Sequence, residues 1–305
     1  MAAIVCDGLR KSYDSVRALD GMSFSVDAGC IGFVGPNGGG KTTTMRILAG
    51  LASPNAGRAS VAGLDVVSAR TAMQRQIGYL PQSPTFYGYM TAREVLTWTA
   101  SLFGMDRRAA SVRADELLGR LGLAGAAGRS VGTFSGGMKQ RLGIAQALVH
   151  RPNVLILDEP VSALDPIGRR EVLQLIEELK AEVTVFMSSH VLSDVERVAD
   201  HLVIVHGGRV VVQADPAELR ARYETPRFAF EVEPSDPDLT EMLRRQPWCK
   251  ELERQGSSYS VLATDAAQGR AHLPRAVLDA GATLVSYGGA SPTLEDIFVR
   301  VVADA

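Results

Sequence analysis

At 305 residues, with 46% hydrophobic and 22% charged side chains, the chain has the length of about two domains and the balance of a folded protein. Its net charge of −2, without a dense run of lysine or arginine, argues against direct nucleic-acid binding through phosphates. The cysteines Cys6, Cys30 and Cys249 have neither metal-ligand spacing nor a disulfide pattern, and read as thiols of a reducing cytosol.

The opening MAAIVCDGLRKSYD lacks the basic-then-apolar layout of a secretory signal. The longest apolar runs, VLIL (154–157) and LVIV (202–205), fall far short of the roughly 18 residues a membrane helix needs. The chain is therefore not expected to span a bilayer.

In chain order, IGFV (31–34) reads as a strand, and the TTTMRILAGL after it as a helix ending near Gly50. The region of about 65–130 reads as a helical insertion. VLIL, VTVFM (183–187) and HLVIV (201–205) are continuous apolar runs, as in strands buried on both faces; GRREVLQLIEELKAE (168–182) between them is helical. This alternation implies an α/β fold with a mainly parallel sheet.

Near residue 224 the pattern changes. RFAFEVE (227–233), a helix over 236–246, KELERQ (250–255), SYSVLAT (258–264), a helix over 268–281 ending at Gly281 and TLVSYG (283–288) run β-α-β-β-α-β, the order of a small α+β ferredoxin-like domain. SPTLEDIF (291–298) starts a last helix, with Ser291 able to cap, Pro292 suited to the first turn and Thr293 with Asp296 fitting a capping box. The expected domains are 1–222 and 223–305.

GPNGGGKT (35–42) fits the pattern G-x-x-x-x-G-K-[ST] between a strand and a helix. Phosphates carry charge on every side, and a loop poor in Cβ atoms lets successive N–H groups converge on them. Gly35, Pro36, Asn37, Gly38, Gly39 and Gly40 would form this cradle, with Lys41 reaching the β- and γ-phosphates. The Thr42 hydroxyl can ligate magnesium, and Thr43 belongs to the same helix start, whose amides and dipole favour an anion. VLILDEP (154–160) ends a buried strand in two acids, Asp158 to hold magnesium and Glu159 to take a proton from an attacking water.

Five further motifs follow in a set order, and with them the chain resembles the nucleotide-binding subunits of ATP-binding cassette (ABC) transporters over about residues 3–222. FSGGMKQR (134–141) resembles the family's signature, with Phe134 where leucine is commoner; YLPQ (79–82) resembles the Q-loop; SALDP (162–166) the D-loop; SSH (188–190) the switch histidine; and Tyr13 sits where the family stacks an aromatic on adenine. The resemblance implies a P-loop NTPase cassette that binds ATP and Mg2+. Glu159, His190 and Lys41 would be catalytic, Gln82 would join Thr42 and Asp158 at the metal, Ser135, Gly136 and Gly137 would meet the nucleotide of an opposite subunit, and Asp165 of the D-loop would be a further nucleotide contact.

Each motif also has a plainer reading: Ser135 as a helix cap, His190 as a structural histidine, Gln82 as a surface glutamine, Tyr13 as packing. The chain also departs from the family's commoner form by one residue fewer before the loop, and by Gly39 in place of alanine or serine.

The tail resembles the ATPase subunits of bacterial drug and antibiotic exporters. The implied function is an ATPase that drives a separate membrane permease as an ATP-sandwiched dimer with a second copy or a paralogous cassette. It would sit in the cytoplasm, peripheral on the inner face of the membrane through that permease, without direct nucleic-acid contact. An importer ATPase is the alternative within the class, and a soluble cassette acting on ribosomes or DNA the alternative outside it.

Overall fold

The computed structural model describes residues 2–162, 164–223, 225–289 and 293–303, so Ser291 and Pro292 lie outside the described residues. Residues 1–216 with 300–305 form one compact unit and 217–299 another.

In the first unit β1 (Ile4–Tyr13) and β2 (Val16–Val26) form a hairpin. β3 (Cys30–Val34), buried at every position, runs into the glycine loop and α1 (Lys41–Leu48). β4 (Ala56–Val61) and β5 (Leu64–Asp65) complete an antiparallel sheet of order β2-β1-β4-β5. The sequence reading missed this sheet, for a physical reason. Ile4, Cys6 and Leu9 are the buried residues of β1, and a register shift between Cys6 and Leu9 breaks the alternation that marks a half-buried strand.

α2 (Arg70–Gln74), β6 (Ile77–Leu80), α3 (Ala92–Leu102), α4 (Arg107–Arg120) and α5 (Gly136–Leu148) follow. The region read as a helical insertion thus contains a strand, β6, too short to be legible before its partner is known. Long helices begin only at Ala92, where Thr91 and Glu94 form a capping box; Asp106 caps α4 and Ser135 caps α5.

β7 (Val154–Leu157), α6 (Pro166–Leu179), β8 (Thr184–Ser189), α7 (Leu192–Val198), β9 (His201–His206) and β10 (Arg209–Ala214) complete the run, and α8 (Pro216–Tyr223) follows at the division between the units. The main sheet has the order β10-β9-β3-β8-β7-β6, in which β9, β3, β8, β7 and β6 are mutually parallel and β10 is an antiparallel edge. Phe33 and Phe186 from its central strands pack against Phe24 of β2, at centroid distances of 5.6 and 5.9 Å. The consequence for function is geometric: the carboxyl ends of β3, β8, β7 and β6 lie side by side on one edge.

His150 ties the end of α5 to β6. Its Nε2 lies 2.8 Å from the Ile77 carbonyl oxygen, which can only accept, so Nε2 carries the proton. The ring stacks on Phe103 at 3.8 Å between centroids, and Nδ1 is buried without a partner among the described residues. Burial lowers its pKa, partly offset by the bond to Ile77. The folded chain thus resists a proton that the unfolded chain takes up near pH 6.5, so this stabilisation is present above about pH 6.5 and is lost as pH falls below it. His150→Gln is expected to melt lower than the parent at neutral pH, yet to lose less melting temperature on acidification to about pH 5.5. Circular dichroism melts at the two pH values check this.

In the second unit β11 (Arg227–Val232), α9 (Thr240–Arg244), β12 (Cys249–Gln255), β13 (Ser258–Ala263), α10 (Ala266–Asp279) and β14 (Leu284–Gly289) form a four-stranded antiparallel sheet of order β12-β13-β11-β14 with two helices. This strand order is the ferredoxin-like one. α9 is shorter than the helix expected over 236–246, because the Asp236 carboxylate accepts the Thr283 amide at 2.6 Å and is held in a loop. Phe228, Phe230, Trp248, Tyr259, Leu273 and Val277 share its core. α10 crosses Phe228 at Gly269, where a Cβ would come within 2.1 Å of the ring. The last helix, α11 (Leu294–Ala303), begins at a Thr293–Asp296 capping box, with Leu294, Ile297 and Val301 buried.

Candidate functional site

The glycine loop leaves β3 under steric constraint. A Cβ on Gly35 would stand 2.3 Å from the Val205 carbonyl oxygen, and one on Gly40 would stand 2.7 Å from the Leu19 side chain and 2.9 Å from the Ala18 oxygen. Gly40 has φ 96° and Gly38 φ 80°, the left-handed region that glycine enters without strain. The loop delivers the chain to the first turn of α1, whose N–H groups have no helical partner and which carries no acidic residue. Lys41 in that turn is only 6% exposed; its Nζ donates to the carbonyls of Gly35 at 2.7 Å and Pro36 at 3.2 Å. Thr42 is exposed and Thr43 half-buried beside it.

Two strands away β7 ends in Asp158 and Glu159, 1% and 5% exposed. Asp158 Oδ1 accepts from the Ser188 hydroxyl at 2.8 Å and the Thr42 hydroxyl at 3.3 Å. Burial pushes the pKa of Asp158 up, the Ser188 and Thr42 hydrogen bonds oppose this, and the neighbouring Glu159 charge adds to it. Glu159 adopts φ 51°, a conformation rare outside glycine, and its N–H donates to Ser188 Oγ at 2.9 Å. One carboxylate oxygen lies 2.7 Å from His190 Nδ1 and the other 3.6 Å from Lys41 Nζ. A carboxylate only accepts, so this contact places the His190 proton on Nδ1.

The structure thus gathers the glycine loop, Lys41, Thr42, Asp158, Glu159 and His190 at one sheet edge. A carboxylate and a hydroxyl converging next to a helix start offer only hard oxygen donors, the set that suits magnesium with water completing its shell. The other expected residues stand elsewhere. Tyr13 ends β1, nearly half exposed, with the Lys11 ammonium 5.2 Å from its ring centre. Gln82 is exposed just past β6. Ser135 caps α5 by accepting the Met138 amide at 3.3 Å, with Gly136 and Gly137 in the first turn, and Asp165 caps α6 by accepting the Gly168 amide at 2.8 Å. Among the described residues no hydrogen bond joins Tyr13, Gln82, Ser135 or Asp165 to the cluster, and Ala163 of the SALDP stretch lies outside them. Ser188 was missed. Its signal lies in the SSH stretch, two residues before the histidine.

The family model described as "ABC transporter" matches residues 19–162, and one described as "ATP-binding protein DrrA1-3-like, C-terminal domain" matches 215–302. The "Bacitracin transport ATP-binding protein BcrA" of Bacillus licheniformis is 37% identical over 302 residues, spanning 96% of this chain and 95% of the relative. The chain belongs to the ABC transporter ATP-binding proteins. The "Nod factor export ATP-binding protein I" of Burkholderia lata is 34% identical over 303 residues, spanning 99% of this chain and 97% of its own. A solved "ATP binding subunit of ABC transporter" superposes with a TM-score of 0.65 at 30% identity, covering 72% of this chain and 93% of that one.

The first unit of this ABC protein is therefore a P-loop ATPase cassette that binds nucleotide. Gly40→Ala is expected to cost about 1–3 kcal/mol of stability, through its positive φ and the clash with Leu19 and Ala18. It is also expected to abolish detectable ATP binding, as read by chemical denaturation and titration calorimetry.

Proposed function

We propose that this ATPase drives a separate membrane permease that exports drugs, antibiotics or lipid-like compounds. The observation that carries the hydrolytic part is the convergence of Lys41, Asp158, Glu159 and His190 around the start of α1. Support for export comes from the DrrA-like C-terminal domain and from relatives named for bacitracin transport and Nod factor export.

In this reading the triphosphate lies along Gly35 to Thr43, where amides and the helix dipole oppose its charge. Lys41 exchanges its bonds to the Gly35 and Pro36 carbonyls for the β- and γ-phosphates. Thr42 and Asp158, with Gln82, would hold magnesium, and the chemistry supplied by that ion is neutralisation of charge on the phosphate oxygens. Glu159 accepts the proton of the attacking water, and His190, whose N–H orients that carboxylate, turns this N–H to the γ-phosphate when nucleotide binds. Tyr13 stacks on adenine. Ser135, Gly136, Gly137 and Asp165 act across a dimer on the nucleotide held by the other cassette, a second copy or a paralogue. Ser135 caps an outward-facing helix start, a ready anion site.

The permease contact falls to an exposed aromatic group. Tyr87 and Tyr89 lie 5.8 Å apart and Tyr87 and Trp98 6.2 Å, along a groove of about 1020 Å3 that also involves Met90, Arg93 and Met105. Exposed aromatic rings grouped in this way, rimmed by polar residues, mark an interaction surface. Among the described residues no helix is long and apolar enough to cross a membrane. The cassette would work at the cytoplasmic face, held there by the permease.

Glu159→Gln is expected to bind ATP and accumulate as a nucleotide-bridged dimer while turnover drops about 10²- to 10⁴-fold. Phosphate release and size-exclusion chromatography check this, and near-normal release would refute the role of Glu159. Mixing Lys41→Ala chains with Ser135→Arg chains, each inactive alone, is expected to restore one working site per heterodimer. Heterodimers that form without activity would speak against the shared site.

A further inference from the structure

We infer that Ser188 is a positioning residue for hydrolysis, its single hydroxyl holding the Asp158 carboxylate and the Glu159 backbone at once. The inference rests on the roles proposed above for Asp158 and Glu159. β7 and β8 are parallel and pair Leu157 with Met187, so the next residues, Asp158 and Ser188, stand side by side where the strands end. Ser188 is 0% exposed, and its Oγ accepts the Glu159 N–H at 2.9 Å while donating to Asp158 Oδ1 at 2.8 Å.

The direction of each bond is forced. A backbone N–H only donates and an ionised carboxylate only accepts, so the hydroxyl uses its one proton on Asp158 and a lone pair on the amide. The amide bond holds Glu159 in its left-handed conformation, φ 51°. The carboxylate bond works together with Thr42, since both hydroxyls take Oδ1, and among the described residues no donor is bound to Oδ2. Oδ2 would thereby be the oxygen available to a metal. Ser188→Ala keeps the strand and loses both constraints at once.

The test compares the parent, Ser188→Ala and Glu159→Gln as full chains. Ser188→Ala is expected to lower kcat about 10- to 100-fold, with KM for ATP and metal-free ATP affinity by calorimetry both within about threefold of the parent. The affinity of the ATP-loaded protein for Mn2+, read by electron paramagnetic resonance as a probe of the metal position, is expected to fall about tenfold. The inference is overturned if kcat stays within about twofold of the parent, or if metal-free ATP affinity falls as far as kcat, which would mean a general disturbance. Unchanged Mn2+ affinity would overturn the hold on Asp158. Normal turnover in Glu159→Gln would sink the base assignment instead, whereas slow turnover there beside an unchanged Ser188→Ala sinks this inference alone.

Discussion

A lysine ammonium taken out of water must be surrounded by oxygen, and the cassette is built around that requirement at Lys41. Its three donors meet two carbonyls of its own glycine loop and, at 3.6 Å, one oxygen of Glu159. The loop can bend its carbonyls onto the ammonium only because Gly35, Gly38 and Gly40 tolerate contacts or dihedrals closed to other residues. The carboxylate can stand opposite only because β3, β8 and β7 are parallel neighbours whose carboxyl ends fall within two residues of one another. A phosphate chain entering the loop offers the ammonium a stronger set of acceptors than the carbonyls.

The same edge shows two acids placed under different constraints. Asp158 is tied through one oxygen by Ser188 and Thr42, while Glu159 is anchored through its backbone and left with a side chain that bridges His190 and Lys41. A group fixed at its oxygen suits holding an ion; one fixed at its backbone, with its carboxylate on a histidine, suits exchanging a proton. Away from the edge, Ser135 and Asp165 complete their own helices and stay exposed.

Much of the site was legible because phosphate binding demands local chemistry. Gly35 to Thr42 is a contiguous stretch whose residue types follow from the shape of the ligand, and Asp158 with Glu159 follows a run of four apolar residues that can hardly be anything but a buried strand. The β-α-β-β-α-β order of the C-terminal unit was readable because β11 and β13 at its centre alternate: Phe228, Phe230 and Val232 are buried while Ala229 is exposed, and Tyr259, Val261 and Ala263 are buried in turn. The N-terminal antiparallel sheet was not, because a bulged strand such as β1 loses its period of two. Nor was β6, four residues whose identity as a strand depends on β7.

By itself the sequence determined the chemistry on offer: a glycine loop with its lysine and threonine, a paired acid, a histidine after two serines and a second small domain. Those are properties of short stretches, and short stretches set which groups exist. Only the tertiary structure decided that Thr42, Asp158, Ser188, Glu159 and His190, up to 148 positions apart in the chain, are joined in one chain of hydrogen bonds. The physical reason is register. Parallel pairing of β7 with β8 is a long-range choice made by buried apolar faces, and it sets the Ser188 hydroxyl between the two acids where no local pattern announces it.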